Sequence, residues 1–156
     1  MKLAEALSLR SDLNKSIRDY QQRIKAAARH VEGETPPENA VELLDRARDL
    51  MDQESLLIAR INLTNAFTEL EAGLTLTSAI AGRALLSAVI ALLREACQAA
   101  TPGNDPYRLG SRRRTELPEL TDLDVAGMRA EADRLAKDRR ELDSRIQLAN
   151  WNTDLL

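Results

Sequence analysis

Aromatic side chains are scarce in this chain of 156 residues: one Trp, two Tyr and one Phe. So few rings provide no row of stacking platforms of the kind single-stranded nucleic acid needs. Charge of one sign is not in large excess either. The formal net charge of −3 gives no general attraction to nucleic acid or to an anionic membrane. The only cysteine, Cys97, excludes a disulfide within the chain, and its place in an apolar run reads as a small buried hydrophobe. The only histidine, His30, stands in "HVEGE" beside Glu32 and Glu34. No second His or Cys is near it and the spacing matches no metal-ligand pattern. It reads as a solvated helix end, where the ring complements the C-terminal dipole. Long apolar runs are missing too. The longest uncharged one, Ala84 to Leu93, is bracketed by Arg83 and Arg94 and is too short to span a bilayer. At the start, "MKLAEALSLRSDL" sets Glu5, Arg10 and Asp12 where a signal peptide requires an unbroken apolar core, so a cytoplasmic location is expected. Triad spacing, a phosphate-cradling glycine loop and zinc spacing are absent. The carboxylates are too evenly spread to single out an acid–base pair. The sequence therefore predicts no catalytic residue, no metal, no cofactor and no enzymatic activity.

What is present is Ala, Leu, Glu and Arg at helical spacing. A single domain of this length buries about 68–70% of its unfolded surface. Leu3, Ala6, Arg10, Leu13, Ile17, Tyr20, Ile24, Ala27 and Val31 alternate steps of three and four, the period of helices packing side by side. They predict helix 1 from about Lys2 to Val31, ended by Gly33. "ETPPEN" reads as a capping box, with Thr35 as N-cap, Pro36 at the first helical position and Glu38 three residues on. Helix 2 is then expected over Pro36 to Leu70, with its seam from Leu43 through Thr64 to Thr68, and Gly73 following as the breaker. Helix 3, Leu76 to Ala100, is capped by Thr75 or Thr77 and is apolar or small on nearly every face. Such a helix is expected to be buried nearly all round, with another subunit covering one side. A connection of about twenty residues follows over 101–121. Thr121 and Asp124 signal helix 4, which is expected to reach Asn150.

Two phrases echo each other, identical at six of eleven positions: "RINLTNAFTEL" from Arg60 and "RIQLANWNTDL" from Arg145. Helix 3 also lies on helix 1, Leu3 on Leu76, Ala6 on Ala79, Arg10 on Arg83 and Ile17 on Ile90. A duplicated helical hairpin accounts for this. Hairpin one covers about 1–72 and hairpin two about 73–156 of one all-α domain, an antiparallel up-down four-helix bundle. Helix 1 is mainly basic and helix 2 mainly acidic, which favours their pairing modestly.

That topology sets Arg10, Arg60, Arg83 and Arg145 at one level. Two readings follow. They form a pocket for a small anion, with Asn62, Asn65, Gln147 and Asn150 adding amide hydrogen bonds and two helix N-termini assisting. Alternatively they form an internal ion-pair network fixing register, with Glu5, Glu69, Asp143 or Asp154 as partners. Glu54 and Arg139 occupy matching slots of helices 2 and 4, as a buried pair or an open seam. "SRRR", Ser111 to Arg114, with Tyr107 and Arg108, is a basic cluster able to touch phosphate or lipid, or a solvated or subunit-facing loop. Trp151 anchors the tail onto the bundle or onto another subunit.

The start "MKLAEALSLRSDLNKSI", the turn "EGETPPE", "RINLTN", "LTSAIAGR" and the ending "ELDSRIQLANWNTDL" together resemble the septicolysin-like family of small bacterial helical proteins. The resemblance implies a soluble bundle assembling into homo-oligomers. Its name also suggests cytolysis. The readings that emerge are a self-associating structural or interaction module whose partner is itself, a membrane-active protein, and a small-anion binder. No nucleic acid partner is expected, and no membrane partner is favoured.

Overall fold

The computed structural model of the chain describes residues 1–101 and 120–156. It is mostly helical: α1 (Leu3–Ala27), α2 (Ala40–Phe67), α3 (Leu76–Ala99) and α4 (Val125–Asn152), with one short hairpin, β1 (Glu69–Glu71) and β2 (Leu74–Thr75). Two compact units divide it, Met1–Thr77 together with Gln147–Leu156, and Ser78–Ile146.

In the first unit α1 and α2 pair antiparallel. Arg23 meets Glu38 at one end and Asn14 donates to Glu54 at 3.2 Å further along. The buried residues follow the three–four seams: Leu3, Ala6, Ile17 and Ala27 on α1, and Leu43, Ala47, Leu57, Ile61 and Thr64 on α2. Each fully buried Leu or Ile contributes about 1.5–3 kcal/mol. The α1 stripe stops earlier than the sequence suggests. Val31 is 65% exposed, so nothing holds a further helical turn. Instead the Glu34 amide donates to the Val31 carbonyl at 3.0 Å, closing a turn that takes Gly33 to φ +89°.

The start of α2 corrects the expected capping box. Asn39 is the N-cap, its side chain accepting from the amides of Val41 and Glu42. Thr35 and Glu38 do not form the box, because the Glu38 carboxylate is taken by the Arg23 guanidinium. The proline tandem works in the same direction. Pro37 pushes Pro36 toward extended backbone and away from a first helical turn.

The other correction is the hairpin. Helix 2 was expected to reach Leu70, but α2 ends at Phe67 and the chain turns back through Ala72 and Gly73. Gly73 has φ +81°, the sign a type II turn needs at its third residue. Glu69 pairs with Thr75 and Glu71 with Leu74, with a register shift between them. The Leu76 amide donates to the Thr68 carbonyl at 2.8 Å, closing the connection into α3.

In the second unit α3 and α4 also run antiparallel. Arg83 Nη1 lies 2.5 Å from Asp143 Oδ1, and the Cys97 thiol lies 3.7 Å from the Val125 carbonyl. Ala79, Ile90 and Cys97 of α3 and Ala132, Ala136 and Ile146 of α4 are buried. Asp124 caps α4, accepting from the Gly127 amide at 2.9 Å. The helix runs past the expected Asn150 to Asn152, its ladder continued by the Thr153 amide on the Ala149 carbonyl. The expectation that α3 is buried nearly all round does not hold within the chain, where Leu85 is 66% and Leu92 65% exposed.

The cap correction has a direct test. Asn39→Ala is expected to cost about 1 kcal/mol of stability in urea unfolding, whereas Thr35→Ala leaves the midpoint unchanged.

Candidate functional site

The chain's first and last residues meet in the first unit. Lys2 and Asp154 form an isolated antiparallel bridge. The Leu3 amide donates to the Thr153 carbonyl and the Leu155 amide to the Met1 carbonyl, both at 2.9 Å. Lys2 Nζ reaches Asp154 Oδ1 at 2.9 Å and the Asn152 carbonyl at 3.2 Å. The Lys2 amide donates to Glu5 Oε2 at 2.7 Å, so the Glu5 carboxylate completes the start of α1. Lys2 holds the Asp154 carboxyl below the usual carboxylate range, chiefly by hydrogen bonding.

Beside this bridge, the first echoed phrase grips Leu156, the residue that follows the second. Thr64 is fully buried, and its hydroxyl donates to the Arg60 carbonyl at 2.8 Å. The same oxygen accepts from the Leu156 amide at 3.0 Å. Arg60 Nε donates to the Leu156 carbonyl at 2.7 Å. One residue is thus held on both of its backbone groups by side chains four positions apart on α2.

The other candidate residues fall as follows. Arg10, Arg60, Asn62, Asn65, Gln147 and Asn150 belong to the first unit, and Arg83 and Arg145 to the second. Arg10 occupies an apolar seam slot, yet it is exposed and has no hydrogen bond or ion pair among the described residues. Its long stem carries the charge out to water. Arg83 is ion-paired with Asp143, both about one-third exposed. Asn62, Arg145 and Gln147 are exposed, and Asn65 and Asn150 half-buried. Glu54 takes its hydrogen bond from Asn14 rather than from Arg139, which is exposed. Trp151 is 64% exposed, so the tail is anchored by the backbone bonds above and not by burial of the indole. The Ser111 to Arg114 cluster, with Tyr107 and Arg108, lies outside the described residues.

A polar cluster the sequence reading missed joins α1 to the start of α2. Arg23 bonds Glu38 through two nitrogens, pairs with Asp19 at 3.5 Å, and stacks 4.9 Å from the Tyr20 ring centroid. The hydrogen bond to Glu38 raises Arg23 above its ordinary range and lowers the Glu38 carboxyl. The nearby open cleft of about 500 Å³ is lined by Ala27, His30, Thr35, Glu38, Asn39 and Val41. Its best polar groups are already engaged, Glu38 by Arg23 and Asn39 by the α2 cap. Among the described residues no group of three or more His, Cys, Asp or Glu is placed to hold a metal ion.

A family of unknown function, DUF6847, matches residues 10–155. A solved structure, the crystal structure of a functionally unknown conserved protein from Corynebacterium diphtheriae, is 33% identical with a TM-score of 0.88, over 100% of this chain and 99% of that one. No curated protein matches the chain.

Two outcomes test the grip. Thr64→Val removes the acceptor of the half-buried hydrogen bond from the Leu156 amide. It is expected to destabilise by about 0.5–1.5 kcal/mol and to speed hydrogen exchange at Leu156. The second concerns pH. Because the Asp154 carboxyl is lowered in the folded state, its contribution is complete above the unfolded carboxylate pKa and fades as pH falls through the folded value. A carbon-detected NMR titration should therefore place the Asp154 midpoint below that of an unpaired Asp, and Lys2→Met should bring it back up.

Proposed function

The chain belongs to this family of unknown function, and from that premise we propose that it is a non-enzymatic, self-associating helical protein, a structural or interaction module of the cytoplasm. In this reading it is two copies of one helical hairpin in an antiparallel up-down bundle. The burial pattern supports the duplication. Leu3 and Leu76, Ala6 and Ala79, Ile17 and Ile90, and Ile61 and Ile146 are all buried, while Leu63 and Leu148 are both exposed. The resemblance to septicolysin-like proteins implies a soluble helical bundle that assembles into homo-oligomers.

The observation that carries self-association is the apolar surface a single chain leaves uncovered. Leu85 and Leu92 stand out from α3, and Leu56, Leu63 and Phe67 from the outer side of α2. Soluble monomers rarely expose contiguous apolar patches larger than about a few hundred Å². The pairing of Arg83 with Asp143 supports the register-fixing role for that arginine over an anion pocket.

One feature favours the membrane-active reading. By length and composition α3, 24 residues long, is able to cross a membrane. The uncharged run from Ala84 to Leu93 understates it, since the whole helix carries only Arg83, Arg94 and Glu95 as charges. Those charges are costly at the bilayer centre, which ranks this reading second.

Light scattering on the purified chain separates the readings. A mass at a multiple of 17.3 kDa is expected. A monomer that instead floats with lipid vesicles replaces the first reading with the second.

A further inference from the structure

Resting on that reading, we propose that α3 carries a second, outward helix–helix seam, and that a second copy of α3 packs on it antiparallel about a two-fold axis. The inner seam holds Leu76, Ala79, Ile90 and Cys97, all buried. On the opposite side Ser78, Ala81, Leu85, Ala88, Leu92, Glu95 and Ala99 also alternate steps of three and four, and every one is exposed. Any line along one side of a helix recurs at these steps; what sets this one apart is that five of its seven exposed residues are Ala or Leu. Apolar knobs recurring at about 3.5 residues keep facing a partner helix.

The seam's chemistry identifies the occupant. From Ala81 to Leu92 it is uncharged, and so are its flanking residues Gly82, Ala84, Val89 and Ala91. It is also complementary to itself. In one antiparallel register Leu85 stands opposite the partner's Ala88, Ala81 opposite the partner's Leu92, and Ser78 opposite the partner's Glu95. Large meets small at each level, which lets the helices approach closely. The seam's single charge, Glu95, then comes against the N-terminal turn of the partner helix, where the helix dipole is positive. A parallel pair would set Glu95 against Glu95 and Leu against Leu. Charge and shape thus select the same two-fold arrangement, and a closed two-fold contact is the commonest solution for a self-associating chain.

Leu85 is exposed, so Leu85→Glu removes nothing from the core. It is expected to abolish the dimer at low micromolar concentration with helicity by circular dichroism unchanged. Geometry is read independently by double electron–electron resonance. With Cys97→Ala as background, one spin label is placed at Ala81→Cys and, in a second protein, at Ala99→Cys. The antiparallel register puts the two labels of a dimer about 16 Å apart along the axis at residue 81 and about 38 Å apart at residue 99. Equal short distances at both sites mean a parallel pair and overturn the proposal. An oligomer that survives Leu85→Glu, or that gives no interchain distance of these sizes, also overturns it while leaving self-association intact. A wild-type monomer at all concentrations removes both.

Discussion

The Thr64 hydroxyl is the point on which the first unit turns. It gives its proton to Arg60, one turn back in its own helix, and takes the Leu156 amide from the far end of the chain. Arg60 then secures the carbonyl of the same residue. Because Thr64 is fully buried, the two bonds at its hydroxyl are partly shielded from competing water, while the Arg60 bond lies at the exposed surface. This short ladder, with Lys2 and Asp154 at its side, holds the last four residues. The repeated phrase is therefore asymmetric in use. Its first copy supplies the hydroxyl and the guanidinium, and its second copy leads into the segment that is held. Where the first copy has Thr64, the second has Ala149, which offers no hydroxyl.

Around that point the structure relies on small and aliphatic seams more than on charge. Ala6, Ala27, Ala47, Ala79, Ala132 and Ala136 are among the buried residues, so the paired helices are separated mostly by methyl groups and leucine or isoleucine side chains. The ion pairs sit at the margins. Lys15 with Asp12, Arg48 with Asp45, and Lys137 with Glu141 are exposed pairs within one helix, of the kind that contributes little to stability. The cross-helix links, Arg23 with Glu38 and Arg83 with Asp143, are the ones with a geometric task, because each fixes how far one helix slides along the other.

Helix number and spacing were legible because they rest on local period, which a sequence displays directly. The seam residues Leu43, Ala47, Leu57, Ile61 and Thr64 are buried as that period requires. Thr121 and Asp124 together marked the start of α4, but of the two it is Asp124 that caps, accepting from the Gly127 amide, while Thr121 accepts from Leu123. What escaped was decided at a distance. Glu38 looked like the second half of a capping box until Arg23, fifteen residues away, claimed it. The hairpin of Glu69–Glu71 with Leu74–Thr75 is too short to show an alternating pattern against the helices on either side. For the arginines, a heptad slot locates a Cα but not the end of a long side chain. Arg10 and Arg83 share one pattern, yet one guanidinium reaches solvent and the other a carboxylate. The embrace of Leu156 by Thr64 and Arg60 joins residues more than ninety positions apart, and no local signal announces it.

At the threshold of α4, the capping carboxylate of Asp124 fills the space where a methyl group on Gly127 would sit. An alanine there would gain about 1 kcal/mol of helix propensity while evicting an acceptor worth a similar amount. The two positions are thus bound into a single trade. A methyl at 127 changes meaning with its neighbour, near-neutral while the aspartate stands and favourable once it is gone, so relatives that drift at one site should drift at both.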